Sequence, residues 1–251
     1  TQTHSHNHDH KNPLSVDIWL DVACPWCALD ERRFDTVLEN LPFADDVEVR
    51  FHSFQLDPTA PEQSTQTHNT YLLGRGVPAE RLAQSQATLT AAGESLDFHF
   101  DIDHTIPSNT RTAHRMIQAA GTVGVQRGVV AALYKAYFED AKDIGDTEAL
   151  KAVAVSGGLP EELAQRVIDD ANAFLPEFEE DVQRAADLGI RGVPFYVLDG
   201  RYGISGAQPE ETLRGALTDV YTELNPAPKL QMPPGLTSAD GEVCGPDGCA
   251  Y

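Results

Sequence analysis

Residues 16–29 read Val16-Asp17-Ile18-Trp19-Leu20-Asp21-Val22-Ala23-Cys24-Pro25-Trp26-Cys27-Ala28-Leu29. From Val16 to Val22 apolar residues recur with period two, which predicts a strand. Past Ala23 the period changes. Leu29, Phe34, Val37, Leu38 and Leu41 fall on one face of a helix, and Pro42 helps to end it. A Cys-Pro-Trp-Cys motif therefore stands where a strand hands over to a helix. Val47–Phe54 follows as a second strand, with Val47, Val49 and Phe51 on one face.

That position has a chemical use. The first turn of a helix carries unpaired N–H groups and a positive partial charge. A thiolate is stabilised there, so Cys24 is the expected exposed nucleophile. Pro25 fits an early helical position because its missing N–H is not needed there. Cys27, one turn further in, is the expected shielded resolving thiol, and the two would work by thiol–disulfide exchange through a mixed disulfide. Trp26 is uncharged and cannot lower the Cys24 pKa as a cation between the cysteines would. It reads as an apolar platform for substrate. The other reading of the cysteines is zinc bound by four thiolates, drawn from Cys24, Cys27, Cys244 and Cys249. The two pairs lie at opposite ends of the chain, which favours redox chemistry.

Beyond the second strand the pattern is helical from about residue 61 to 188. Helices are expected from Pro78 to Ala92 with a stop at Gly93, and from an N-cap at Ser108 to about Ala120. Further helices are expected over Val129–Phe138, Thr147–Val155, Pro160–Ala171 and Pro176–Leu188, the last ended by Gly189. Phe98–Pro107 reads as extended or irregular. Strand signals return at Phe195–Leu198 and Tyr202–Ile204 around the turn dipeptide Asp199-Gly200. Pro209 opens a final helix to Leu224. Just before the first of these strands, Val193-Pro194-Phe195 places a proline at a bend, where a trans or a cis bond fits.

With 251 residues the chain is long enough for one domain carrying a substantial insertion. Its 18 Lys and Arg against 39 Asp and Glu give a net charge of −21, which argues against nucleic acid or an anionic membrane as a partner. No apolar run reaches the length of a membrane span, and no apolar stretch precedes Leu14. A cytoplasmic location is expected. The alternating His4, His6, His8 and His10 mark residues 1–13 as a disordered arm or tag, or as a native metal-scavenging arm.

Four stretches carry a family resemblance: Asp21-Val22-Ala23-Cys24-Pro25-Trp26-Cys27, Ser108-Asn109-Thr110-Arg111-Thr112-Ala113-His114-Arg115, Gly189-Ile190-Arg191-Gly192-Val193-Pro194-Phe195 and Ser205-Gly206-Ala207-Gln208. Through them the chain resembles the DsbA-family thioredoxin-like oxidoreductases, and within these the FrnE-like branch. The resemblance covers roughly residues 16–224. It implies an α/β thioredoxin-like fold with a large inserted α-helical domain, and a cis Pro194 abutting the active disulfide. The expected organisation is a discontinuous thioredoxin-like domain at 14–60 and 189–224, an inserted helical domain at 61–188, and a Pro/Gly-rich tail at 225–251. The same fold branch resembles kappa-type glutathione transferases and 2-hydroxychromene-2-carboxylate isomerases. Those use a serine-like nucleophile position, occupied here by Cys24 with Cys27 beside it.

The expected activity is thiol–disulfide exchange or isomerisation on protein disulfides with no cofactor and no metal, with thioredoxin or glutathione as redox partner. The alternatives are a glutathione-dependent isomerase or transferase and a zinc-binding interaction protein. Cys24, Cys27 and Pro194 form the expected catalytic set, supported by Pro25, Trp26, Asp21, Val193 and His114. Asp21 could accept the Cys27 proton or bond the following loop, with Asp17 a weaker candidate for the first role. His114 reads as a structural histidine with its hydrogen bonds satisfied, or as a residue that touches substrate or tunes the thiolate. Arg111 and Arg115 read as surface arginines, or as cations favouring an anionic thiolate or a glutathione carboxylate, and Glu177-Phe178-Glu179-Glu180-Asp181 as a solvated face. Gln208 would bond the loop after the last strand. Cys244 and Cys249 flank Pro246-Asp247-Gly248, a turn that could bring them together as a second redox pair.

Overall fold

The computed structural model of the chain describes residues 11–227. Most of the His-rich arm, and the tail with Cys244 and Cys249, lie outside the described residues.

A four-stranded sheet organises the molecule. Its strands are β1 (Leu14–Leu20), β2 (Val47–Ser53), β3 (Phe195–Leu198) and β4 (Tyr202–Ser205), in the order β2-β1-β3-β4. β1 and β2 run parallel, as their connection through helix α1 (Pro25–Glu39) requires. The β1/β3 and β3/β4 pairs are antiparallel. Asp199 and Gly200 both take positive φ in the turn between β3 and β4, and the Arg201 N–H closes it on the Leu198 carbonyl. Helix α9 (Glu210–Leu224) packs on α1 and β1.

Alternation along β1 sends its side chains to two faces. Leu14, Val16, Ile18 and Leu20 enter the main core with Leu29, Phe34, Val37 and Leu38 of α1. On the other face, Trp19 joins a smaller cluster with Ala185, Ile190 and Val197. β1 ends at Leu20 rather than Val22, because the Cys24 N–H turns back onto the Asp21 carbonyl at 3.0 Å and closes a tight turn before α1.

The insertion between β2 and β3 holds α2 (His68–Gly74), α3 (Ala79–Glu94), α4 (Arg111–Gly121), α5 (Gln126–Tyr134), α6 (Thr147–Ser156), α7 (Glu161–Asp169) and α8 (Leu175–Asp187). The sheet with this helical insertion is the expected thioredoxin-like fold. Several local expectations are corrected. Gly93 does not stop α3. α3 runs on to Glu94, so Gly93 lies in its last turn, where the Phe98 carbonyl passes too close for any residue but glycine. Ser108 does not cap α4. It donates to Asp143, while the Asn109 side chain accepts the Arg111 N–H at 3.0 Å. The expected single helix over Val129–Phe138 is α5 followed by a π-helical turn, Lys135–Glu139, in which the Asp140 N–H reaches back to the Lys135 carbonyl. α2 has no counterpart in the sequence reading, and it buries none of its residues.

At the start of the described chain, Asn12 is tied to the end of α9. It donates to the Asn225 side chain at 2.7 Å and to the Leu224 carbonyl at 3.0 Å. Among the described residues no helix is long and apolar enough to cross a membrane.

Candidate active site

Cys24 is the N-cap of α1, and Pro25 takes the first helical position. The Cys24 backbone is extended (φ −92°, ψ 109°), which turns its side chain back over the first turn, where Sγ accepts the Cys27 N–H at 3.3 Å. A negative charge on Sγ would gain from that N–H and from the positive end of α1. On its other side, Cys24 Sγ donates to the Val193 carbonyl at 3.6 Å. The Val193–Pro194 peptide bond is cis. Val193 and Pro194 are thus brought from the far end of the insertion onto the Cys-Pro-Trp-Cys turn, and Pro194 lines a small recess with Cys27.

Both cysteines are free thiols, and both are buried, Cys24 at 4% exposure and Cys27 at 3%. The expected contrast between an exposed and a shielded thiol is therefore absent from accessible area, because the Val193 segment covers Cys24. The contrast lies in electrostatics. Burial pushes the Cys27 thiol well above its ordinary value. The Cys24 sulfur adds to this by hydrogen bond and charge, as does the charge of Asp21, against a lowering contribution from the Asp21 main chain.

Asp21 is buried directly beneath the turn. Its Oδ2 accepts the Leu56 N–H at 2.8 Å, and its Oδ1 accepts the Ala23 N–H at 3.4 Å and faces His114 Nε2 at 3.2 Å. Asp21 therefore bonds the following loop, and its charge bears on the Cys27 thiol. His114 is fully buried, so it touches no substrate in this state, and its Nδ1 has no protein partner. It is a buried histidine with one ring nitrogen hydrogen-bonded, to Asp21.

Asp17 is removed from the site altogether. It faces the opposite side of the sheet, where His52 stands between two carboxylates, 2.6 Å from Asp17 Oδ1 and 2.6 Å from Asp181 Oδ1. Asp181 is not on a solvated face: it is buried and also accepts the Ser53 N–H at 2.8 Å. Arg115 is not a surface residue either. Its guanidinium is buried against the Val167, Asp170 and Ala173 carbonyls at the end of α7, where a cation is favoured. Arg111 is exposed. Gln208 does bond the preceding loop, through the Ser205 carbonyl at 2.9 Å, and its N–H also donates to Asp30 at 3.2 Å.

Sequence reasoning passed over Asp30, Tyr134 and Tyr196. Asp30 is one helical turn beyond Cys27 and fully buried, and it accepts the Tyr196 hydroxyl. Burial raises its pKa to about 6. Tyr134 donates to the Asp21 carbonyl at 3.3 Å. The i, i+3 spacing of Cys27 and Asp30 was the available signal; both tyrosines read only as core. Among the described residues no three side chains are grouped to hold a metal ion.

A thioredoxin-like sheet with a helical insertion, and two cysteines at the start of its first helix, make the working part of a thiol–disulfide oxidoreductase. Comparison with known proteins agrees. The model of the DSBA-like thioredoxin domain matches residues 15–218, and the chain belongs to that family. Among solved structures, the chain is similar to a probable DsbA oxidoreductase from Streptomyces coelicolor, with 35% identity and a TM-score of 0.78 over 95% of this chain and 99% of that one. It shares its fold with a 2-hydroxychromene-2-carboxylate isomerase, at 16% identity and a TM-score of 0.62 over 83% and 97% of the two chains. It also shares it with the cytosolic disulfide reductase DsbM from Pseudomonas aeruginosa with GSH, at 16% identity and a TM-score of 0.54 over 84% and 96%. No curated protein matches the chain.

Proposed function

We propose that the chain exchanges disulfides of protein substrates through Cys24 and Cys27, as a FrnE-like member of its family. The observation that carries this is Cys24 Sγ held between the Cys27 N–H and the Val193 carbonyl. An attacking thiolate is supported there by the helix start, and a substrate can approach along the Val193–Pro194 segment. The Cys24 thiolate attacks one sulfur of a substrate disulfide, and the other leaves as a thiolate. Cys27 then loses its proton and attacks Cys24 Sγ, which releases the second substrate sulfur and leaves a Cys24–Cys27 disulfide. Run backwards, the same steps deliver a disulfide to a dithiol. The raised Cys27 thiol supports this division of labour, because it keeps Cys27 protonated while Cys24 reacts.

The FrnE-like assignment is supported by the motifs at 108–115, 189–195 and 205–208 taken with Cys-Pro-Trp-Cys. In this reading the enzyme works in the cytoplasm, thioredoxin or glutathione restores the dithiol, and Cys244 and Cys249 form a second exchange couple. The test is insulin-disulfide reduction. Cys24→Ser should abolish it, and Cys27→Ser should accumulate mixed disulfides on Cys24. Undiminished turnover in Cys24→Ser would remove the reading.

A further inference from the structure

Asp30 lies on α1 one turn beyond Cys27 and is fully buried. It lines one small recess together with Cys27, Pro194 and Tyr196. Its two carboxylate oxygens go to two different segments. Oδ2 accepts the hydroxyl of Tyr196, which stands on β3 two residues past Pro194. Oδ1 accepts the Gln208 N–H at 3.2 Å, in the loop that follows β4. That loop turns back on the proline. The Gly206 N–H donates to the Pro194 carbonyl at 2.8 Å, and the Gln208 side chain donates to the Ser205 carbonyl at 2.9 Å. Asp30 thus grips Pro194 twice, through β3 and, by way of Gly206, through the loop after β4.

Tyr196 and Gln208 are the only hydrogen-bond partners of this carboxylate among the described residues, and neither is a cation. Burial pushes Asp30 up to about 6, so the charge is held there at a cost. An apolar side chain in its place would avoid that cost but could bond neither segment.

We propose that Asp30 is a positioning residue for disulfide exchange, which fixes the Val193–Pro194 segment where the main chain of a substrate is received. It touches no reacting atom and acts through Pro194. The inference rests on the exchange reading above and deepens it. Cys24 and Cys27 carry out the sulfur chemistry, and Asp30 holds the edge against which a peptide disulfide lies. An edge already in place costs the substrate no ordering when it binds. A small disulfide without a main chain does not use that edge.

The test follows single turnovers of fully reduced protein with two oxidants, a disulfide-linked peptide and bis(hydroxyethyl) disulfide. In each, the substrate disulfide is reduced as Cys24 and Cys27 become oxidised, and no other reductant takes part. Tyr196→Phe removes one hydroxyl and carries the test even if an Asp30 variant does not fold. It should raise the half-saturating peptide concentration about fivefold, the effect of one hydrogen bond, at an unchanged limiting rate. The small disulfide should react at the wild-type rate. Asp30→Asn has one oxygen, can accept from Tyr196 or from Gln208 but not both, and should match Tyr196→Phe. Asp30→Leu should weaken the peptide further, and adding Tyr196→Phe to it should change nothing more, because the bond is already gone. The Gly206 amide should also lose protection from hydrogen exchange in Asp30→Leu, while the amides of α9 keep theirs. The proposal is overturned if the variants slow both disulfides alike, if they leave the peptide unaffected, or if the Gly206 amide stays protected. A wild-type protein that exchanges with neither disulfide overturns instead the reading of Cys24 and Cys27, whatever the Gly206 amide does.

Discussion

His114 Nε2 lies 3.2 Å from Asp21 Oδ1, and both side chains are buried. The pair forms a floor under the Cys-Pro-Trp-Cys turn. Oδ2 of the same carboxylate fixes the Leu56 N–H, so one side chain joins β1, α4 and the segment after β2.

Asp21→Asn tests what that carboxylate does to the thiol above it. Burial is the main reason the Cys27 thiol stands high, and the Asp21 charge adds to it. Removing the charge should move the Cys27 titration to lower pH, read by ultraviolet thiolate absorbance in a Cys24→Ser background. The variant also leaves one buried hydrogen bond mispaired, at a cost of about 1–3 kcal/mol. A Cys27 titration that stays put or rises would contradict the assignment.

The His52 cluster sets a pH window of stability. Burial works against the charged imidazole, but the Asp17 and Asp181 carboxylates outweigh it and raise His52 above its ordinary 6.5. Its contribution is complete below 6.5 and is lost as pH rises through the folded value. Burial works upward on Asp17, and the His52 hydrogen bond and charge outweigh it, holding Asp17 below its ordinary 3.8. That contribution is present above 3.8 and is lost as pH falls through the folded value. His52→Phe should therefore cost most between these limits, roughly 3 kcal/mol for two buried carboxylates left without their shared cation, and less on either side. Denaturant unfolding across pH reads this, and a cost independent of pH would refute it.

Glu31 runs the other way from an ordinary surface glutamate. Burial, with the Asp35 charge behind it, raises Glu31 from 4.5 to about 8. The unfolded chain ionises first, so the stability that neutral Glu31 contributes is present below 4.5 and drains away up to about 8. Glu31→Gln should be more stable than wild type above that pH, with the gain vanishing below 4.5. Thermal midpoints at acid and alkaline pH give the comparison, and equal shifts at both would be the contrary result.

The tail pair is tested by Cys244→Ser/Cys249→Ser. If it relays electrons to the first pair, the double variant should exchange more slowly with a macromolecular reductant while the Cys24/Cys27 potential stays where it was. A disulfide between Cys24 and a tail cysteine should be found by mass spectrometry under limiting oxidant. Wild-type kinetics without that species would leave the tail no part in exchange.

What the sequence made legible was local. The period-two run from Val16, the cysteine motif and the helical face from Leu29 to Leu38 depend on neighbours within a few residues. What stayed hidden depends on partners far away. Gly93 reads as a helix stop unless one knows that Phe98 folds back over it. Arg115 reads as surface until α7 ends against it, and Asp181 reads as solvated until His52 and Ser53 arrive from β2. The π turn that seats Tyr137 has no composition of its own. Buried polar groups are set by tertiary pairing, and propensity does not report tertiary pairing.

The sulfur of Cys24 and the carbonyl of Val193 meet across 169 residues of chain. β1 lies at the centre of the sheet, yet its neighbour β3 is made only after the whole insertion. Contacts so distant in sequence form late, because the loop between them must be closed first. A chain emerging from the ribosome would carry its first cysteine pair for most of synthesis without the strand that covers it. In time, then, the reactive centre is finished only when most of the chain has been made, and an arrested or truncated chain would expose a bare dithiol.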